Sequence, residues 1–468
     1  MGVRILRIEL RRSVALLATL LIAAAGLFVI YASIEPDASW MDLVVRQRTL
    51  LVLILPFALG AGAWQGIRER RSKVEELFDT TPRPRWRRVL PTAGAMAIAA
   101  VAAYLVMLAG ATGHMQHAEG YFPPSAGPLI VVGALAMVAA IWLGLAMGAL
   151  LPSPLTAPIL VVVGFVSLAL VPNIVFSQGP GMPGSPGGYL LFPNLQVPDL
   201  SEGKAYTGAA LHMLTGRANL TQALLLVALA AAGLGLLAAA RPATRLAALL
   251  PVVLGAVVAV ALMPGRLAAA WVDNPHATEL TCTADKPRIC IPRAQSHMLD
   301  DLREPARQAL SILDAKLPPA PVMVTVQIDE RANDTRPPAD TLLVRLSLFS
   351  SDAVLTPDSL LARMLDGAGV PVCSSLAGDG PGSSASEPVV RYVAARMAAA
   401  EWLLDREPQQ RGGRGGGPEM ALALQALDAL RALPAAEQRA RVAALRDAER
   451  SCAAGDRLDL FTGTDGTR

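Results

Sequence analysis

PLIVVGALAMVAAIWLGLAMGALL, residues 128–151, runs through 24 positions without an Asp, Glu, Lys, Arg or His. About 20 apolar residues let a helix cross the roughly 30 Å hydrocarbon core of a bilayer. Six other stretches share the property, at about 13–33, 49–66, 89–111, 158–176, 221–240 and 246–263. Seven apolar segments predict an α-helical polytopic membrane bundle of about seven spans. Proton pumps, ion-coupled carriers and intramembrane proteases use ionisable groups at membrane depth as relays and binding sites. These stretches carry none, so work done by the bundle is expected to be powered from outside it.

Composition agrees. The chain has 468 residues, 53% of them hydrophobic but 4% aromatic, and a net charge of +3. Ala, Leu, Val and Gly dominate, and small residues let membrane helices pack closely. The small net charge and the lack of a basic tract with interleaved aromatics argue against nucleic acid as a partner. The basic start MGVRILRIELRRS precedes about 20 apolar residues. That run exceeds a typical signal-peptide core and is expected to be the first span.

The cationic residues orient the bundle. With the N-terminus in the cytoplasm, the inner segments hold fourteen: Arg4, Arg7, Arg11, Arg12, Arg68, Arg70, Arg71, Lys73, Arg83, Arg85, Arg87, Arg88, Arg241 and Arg245. The outer loops hold four: Arg46, Arg48, Lys204 and Arg217. This is the positive-inside bias of a multi-pass plasma-membrane protein. Seven crossings then place everything after about Pro264 outside. All four cysteines (Cys282, Cys290, Cys373 and Cys452) fall there, as an oxidising compartment would leave them. Four cysteines allow three pairings. Cys282–Cys290 with Cys373–Cys452 is preferred because TCTADKPRIC is short and rich in turn residues. The fifth stretch is the weakest span, since Pro154, Pro158 and Pro172 flank or interrupt it; a re-entrant pair is the alternative.

Residues 1–12 read as an amphipathic entry helix, with Val3, Leu6, Ile8 and Leu10 between arginines. Residues 1–265 form the membrane domain. Residues 266–468 form a soluble, mostly helical α+β domain on the extracytoplasmic side. In that domain RAQSHMLDDLREPARQALSILDAKL has helical spacing and is expected to kink or restart near Pro305. VMVTVQI and TLLVRLSLF alternate and form a strand pair. PDSLLARMLDGAG, EPVVRYVAARMAAAEWLLDR and an Ala/Leu-rich pair broken at Pro434 supply the remaining helices.

The loop at 67–88 between the second and third stretches, within QGIRERRSKVEELFDTTPRPRWRRVLPTAG, is too long for a tight turn. Its VEELFDTTP segment sets Val74, Leu77 and Phe78 beside Glu75 and Glu76. Exposed apolar residues at the end of a cytosolic loop need a partner surface or the membrane interface. The loop resembles the first cytoplasmic loop of permease subunits of exporter-type ABC transporters, in particular actinobacterial ones. In that family a Glu-x-Leu-x-x-x-Pro-x-x-Arg-like stretch forms a coupling helix that docks on a separate ATPase. Glu75, Leu77, Pro82 and Arg85 sit close to the pattern. The resemblance covers about residues 1–265. It implies a partner ATPase bound through Val74, Glu75, Glu76, Leu77, Phe78, Pro82 and Arg85, and pairing with a second permease or a second copy of the chain. Standard members have six spans and end in the cytoplasm, so the seventh stretch and the large C-terminal domain depart from the family.

Other chemistry is missing from the sequence. There is no G-x-x-x-x-G-K-[ST] phosphate loop and no H-E-x-x-H zinc motif. His114, His117 and Glu119 lie in a Gly-bounded loop and read as interfacial polar residues, not a metal site. No catalytic residue and no cofactor is expected. The leading reading is a permease-like subunit in the lipid bilayer with ATP hydrolysis in a separate polypeptide. The alternative is a membrane-anchored extracytoplasmic binding or sensing protein, and a catalytic outer domain ranks last.

Overall fold

The computed structural model describes residues 15–33, 39–71, 85–115, 120–175, 186–194, 211–327, 338–345, 356–373, 386–406 and 417–463. They separate into two compact units. The first is drawn from Met1–Leu200 and His212–Asn274, the second from Ser201–Leu211 and Pro275–Arg468. The amphipathic entry segment 1–12 lies outside the described residues.

The first unit is helical. Its elements are α1 (Ala15–Ser33), α2 (Trp40–Thr49), α3 (Leu51–Arg71), α4 (Arg85–Thr112), α5 (Ala126–Leu150), α6 (Thr156–Ala169), α7 (Gly216–Ala238) and α8 (Leu250–Leu262). Among the described residues, five helical segments are long and apolar enough to cross a membrane: Leu51–Arg68, Arg85–Thr112, Ala126–Leu150, Gly216–Ala238 and Pro242–Leu262. Two apolar segments are shorter, Leu20–Ser33 and Thr156–Ala169. The 14 residues of α6 rise only about 21 Å, because prolines bracket the segment. Exposed Val162 and Val163 on α6, and Val253, Leu254 and Val257 on α8, are what a helix facing lipid presents.

Helix α5 is the hub, packing on α3, α4 and α7. Its seam with α3 is made by glycine. A Cβ built on Gly144 would lie 2.9 Å from the Leu59 carbonyl carbon, and one on Gly148 would lie 2.8 Å from that of Ala63. In return, a Cβ on Gly62 or Gly66 would lie 2.9 Å from the backbone nitrogen of Leu145 or Ala149. Two G-x-x-x-G pairs thus bring the backbones into direct contact, the arrangement that replaces a hydrophobic driving force inside a membrane.

A short antiparallel pair, β1 (His212–Leu214) with β2 (Trp271–Asp273), brings the chain after α8 back beside the start of α7. The second unit begins beyond it, with β3 (Leu280–Cys282), β4 (Arg288–Pro292), α9 (Leu299–Lys316), β5 (Met323–Gln327), β6 (Thr341–Arg345), α10 (Pro357–Leu365), α11 (Glu387–Leu403), α12 (Pro418–Arg431) and α13 (Ala435–Ser451). One four-stranded sheet has the order β3-β4-β5-β6, with β3–β4 antiparallel and the other two pairings parallel. The expected pair β5–β6 is present, but two further strands lie in the segment read as turn-rich. Helix α9 is the crossover between β4 and β5. It runs unbroken past Pro305, burying Leu302, Ala306, Ala309, Leu310 and Leu313. Ile289, Ile291, Val324, Val326, Leu342 and Val344 pack from the sheet into the same core, against Leu365, Ala398, Leu427 and Leu445 from the later helices. The expected break at Pro434 separates α12 from α13.

Candidate functional site

Of the residues assigned to partner binding, Val74, Glu75, Glu76, Leu77, Phe78 and Pro82 lie outside the described residues. Arg85 opens α4, followed by exposed Trp86, and the Arg87 guanidinium stands 5.1 Å from the Trp86 ring centroid. Helix α4 has 28 residues, so it rises about 42 Å, well beyond the roughly 30 Å of a hydrocarbon core. Its basic first turn, Arg85–Arg88, and Arg68 near the end of α3 therefore bound the segment 72–84 with charge and an amphipathic ring suited to the headgroup layer.

The sequence reading set Arg48 in an outer loop as a topology marker. The structure instead places it on α2, fully buried inside the first unit. Helix α2 starts with a capping box: the Asp42 N–H donates to Ser39 Oγ, and Asp42 Oδ2 accepts from the Ser39 N–H. From this helix Arg48 donates through Nε and Nη2 to the Pro193 carbonyl at 3.2 and 2.9 Å. Its Nη1 donates to the Leu129 carbonyl at 3.1 Å, and its Nη2 also to Gln222 Oε1 at 2.9 Å. Gln222 Nε2 in turn donates to the Phe192 carbonyl, and Gln47 Nε2 to the Tyr104 carbonyl at 2.8 Å. Room for the arginine stem comes from Gly133, whose Cβ would sit 2.9 Å from Arg48 Cδ.

This clasp ties α2, the start of α5, α7 and the segment at 192–193 around one cation. No carboxylate pairs with Arg48 among the described residues, so neutral acceptors carry the charge. Its partners lie far apart along the chain, and nothing in the local pattern around QRTLL announces them.

In the second unit the preferred pairing forms: Cys282 with Cys290, across β3 and β4, and Cys373 with Cys452, a separation of 79 residues. Beside the second disulfide lies a buried ion network. Glu449, fully buried on α13, accepts from Arg396 Nη1, from Tyr392 Oη at 2.6 Å and from Arg457 Nε at 2.9 Å. Arg396 also donates to Asp366 Oδ2 at 2.9 Å and to the Val370 carbonyl at 2.8 Å. The Cys373 N–H donates to Tyr392 Oη at 3.1 Å, joining the disulfide to the network. Burial pushes the Tyr392 phenol up to about 12. Burial alone would lower Arg396, but Asp366, Tyr392 and Glu449 together hold it above its ordinary value. Each buried charge has a counter-charge, which is the arrangement of a structural network.

Among the described residues no group of three or more His, Cys, Asp or Glu could hold a metal ion. His114 lies 4.8 Å from the Tyr31 ring in a tilted contact, while His117 and Glu119 fall outside the described residues. Compared with protein-family models, with curated proteins and with solved structures, the chain matches none.

Proposed function

We propose that the chain is the membrane-spanning, permease-like subunit of an ABC transport system, and that a separately encoded ATPase docks on the segment between α3 and α4. The observation that carries this reading is the form of that segment's frame. Two helices long enough to cross a membrane end in basic turns and hold between them VEELFDTTPRP, whose glutamates and apolar residues follow a coupling-helix pattern. A tight hairpin would need none of these residues, and an apolar Leu77–Phe78 pair in a cytosolic loop asks for a partner surface. Positive-inside bias puts this loop in the cytoplasm, where an ATPase would reach it, and puts the disulfide-bonded unit outside. The seven apolar stretches carry no Asp, Glu, Lys, Arg or His, which is consistent with power drawn from ATP in a partner.

The test is co-purification. The full-length protein should carry along a soluble ABC ATPase from its own cells. Glu76→Lys and Leu77→Asp should each weaken that association at least several-fold, while membrane insertion stays normal. If no ATPase co-purifies, or both variants retain it as well as wild type, the proposal fails.

A further inference from the structure

Helix α13 carries a buried arginine, Arg446, that like Arg48 has no carboxylate partner among the described residues, but its bonding differs from that of Arg48. Arg446 is 4% exposed. Its Nη1 donates to the Leu317 carbonyl at 2.9 Å and to the Pro319 carbonyl at 3.3 Å, which pins the guanidinium plane against the end of α9. Its other two nitrogens, Nε and Nη2, are buried and have no hydrogen-bond partner among the described residues. These two lie on the same edge of the guanidinium, the edge that presents parallel N–H groups to a pair of oxygens in carboxylate and phosphate recognition. An unmet buried donor is costly, and a cation with two of them more so.

The surrounding charge deepens the anomaly. Burial first, and then the nearby cation of Arg450, depress Arg446 to about 10, with Asp447 working weakly in the other direction. No carboxylate forms an ion pair with it among the described residues, in contrast to Arg396 and Arg457 on Glu449. Arg450, half-buried, lies one helical turn further along the same face and reaches the Ala339 carbonyl at 3.3 Å. Pro318, Pro319, Ala339 and Asp340 are exposed, so Arg446 lies just beneath the surface.

We propose that Arg446, with Arg450 as outer cation, forms an oxyanion-binding site in the C-terminal unit, taking a carboxylate or phosphate group in a two-oxygen contact with Nε and Nη2. The anion supplies the two missing acceptors and the missing negative charge. Arg450 exchanges its exposed bond to Ala339 for the anion as the group enters. The site is independent of the transport reading and would stand if that reading fell.

Equilibrium dialysis of the full-length protein in detergent against radiolabelled inorganic phosphate tests this, with acetate as competitor at matched ionic strength. Wild type should bind one phosphate per chain saturably. Acetate that displaces it at comparable concentration marks a carboxylate site, and acetate that fails to do so marks a phosphate site; either supports the proposal. Arg446→Lys keeps the charge but loses the two-pronged edge, and should weaken binding at least tenfold. Arg446→Gln should abolish binding, and Arg450→Ala should weaken it several-fold. Hydrogen–deuterium exchange should show phosphate-dependent protection confined to 317–323 and 441–452 in wild type. That readout also shows whether each variant retains the native protection pattern. The absence of saturable binding by wild type, or binding of equal strength in Arg446→Gln, overturns the proposal.

Discussion

Replacing Gly144 by alanine probes the α3–α5 crossing with a single carbon atom. The new Cβ would sit 2.9 Å from the Leu59 carbonyl carbon and 3.1 Å from the Ala63 nitrogen. Ordinary carbon contacts fall at about 3.5–4.0 Å, so the helices must part by about 0.5–1 Å at this point. A gap of that size forfeits a quarter to a half of each dispersion contact along the seam. Overpacking of this kind costs about 1–3 kcal/mol, and alanine's better helix propensity returns at most about 1 kcal/mol. A net loss of about 1–2 kcal/mol should lower the melting temperature of a unit this size by about 2–8 °C. Gly127 on the same helix supplies the control, because a Cβ there meets nothing within 4 Å. The assay is the fraction of detergent-solubilised protein that remains monodisperse after a graded series of heat steps. If Gly144→Ala and Gly127→Ala melt within about 1 °C of each other, the backbone crossing is not what holds α3 on α5.

Arg48→Ala should destabilise the first unit by about 3 kcal/mol, because Gln222 and the Pro193 and Leu129 carbonyls lose a charged donor in a buried site; a loss below about 0.5 kcal/mol in the same heat series would show the clasp to be idle. Loop-closure entropy gives about 4.5 kcal/mol for the 79-residue separation and about 2.5 kcal/mol for the 8-residue one. Cys452→Ser should therefore lower the stability of the second unit more than Cys282→Ser, and denaturant titration in which the order is reversed would refute this. Tyr392 predicts alkaline sensitivity. Its neutral form is favoured in the fold, so that contribution is complete below about pH 10 and is lost as pH rises towards about 12, up to about 3 kcal/mol in all. Between pH 10 and 11.5 wild type should lose stability more steeply than Tyr392→Phe, and equal slopes would show that the phenol does not titrate with folding.

The elements legible in the sequence were those set by local pattern. The span-length helices follow from runs without charge, and α9, α11 and α13 from apolar spacing on one face. The Gly62-x-x-x-Gly66 and Gly144-x-x-x-Gly148 pairs were read only as part of a general content of small residues, because which helix each meets depends on packing, which a single chain pattern does not encode. Strands β3 and β4 escaped because they are three and five residues long and surround a turn, leaving no room for alternation to show. Arg48 escaped for a different reason. A charge at the edge of an apolar run ordinarily marks the membrane surface, and its burial depends on acceptors 81 to 174 residues away. The same holds for Arg446, whose anchors lie 127 and 129 residues back along the chain.

The glycine seam also bears on mechanics. Where side chains interleave, one helix can slip against another by rotamer changes, and the joint is compliant. At Gly62, Gly66, Gly144 and Gly148 backbone meets backbone, so these points offer no rotamers to yield and the joint is stiffer there than an interleaved one. The pair joins the Arg68–Arg71 end of α3, where the segment 72–84 begins, to α5, whose Leu129 carbonyl accepts from Arg48. A stiff α3–α5 seam leaves the Arg48 hydrogen bonds, not the glycine contacts, as the softer link between α5 and the rest of the first unit.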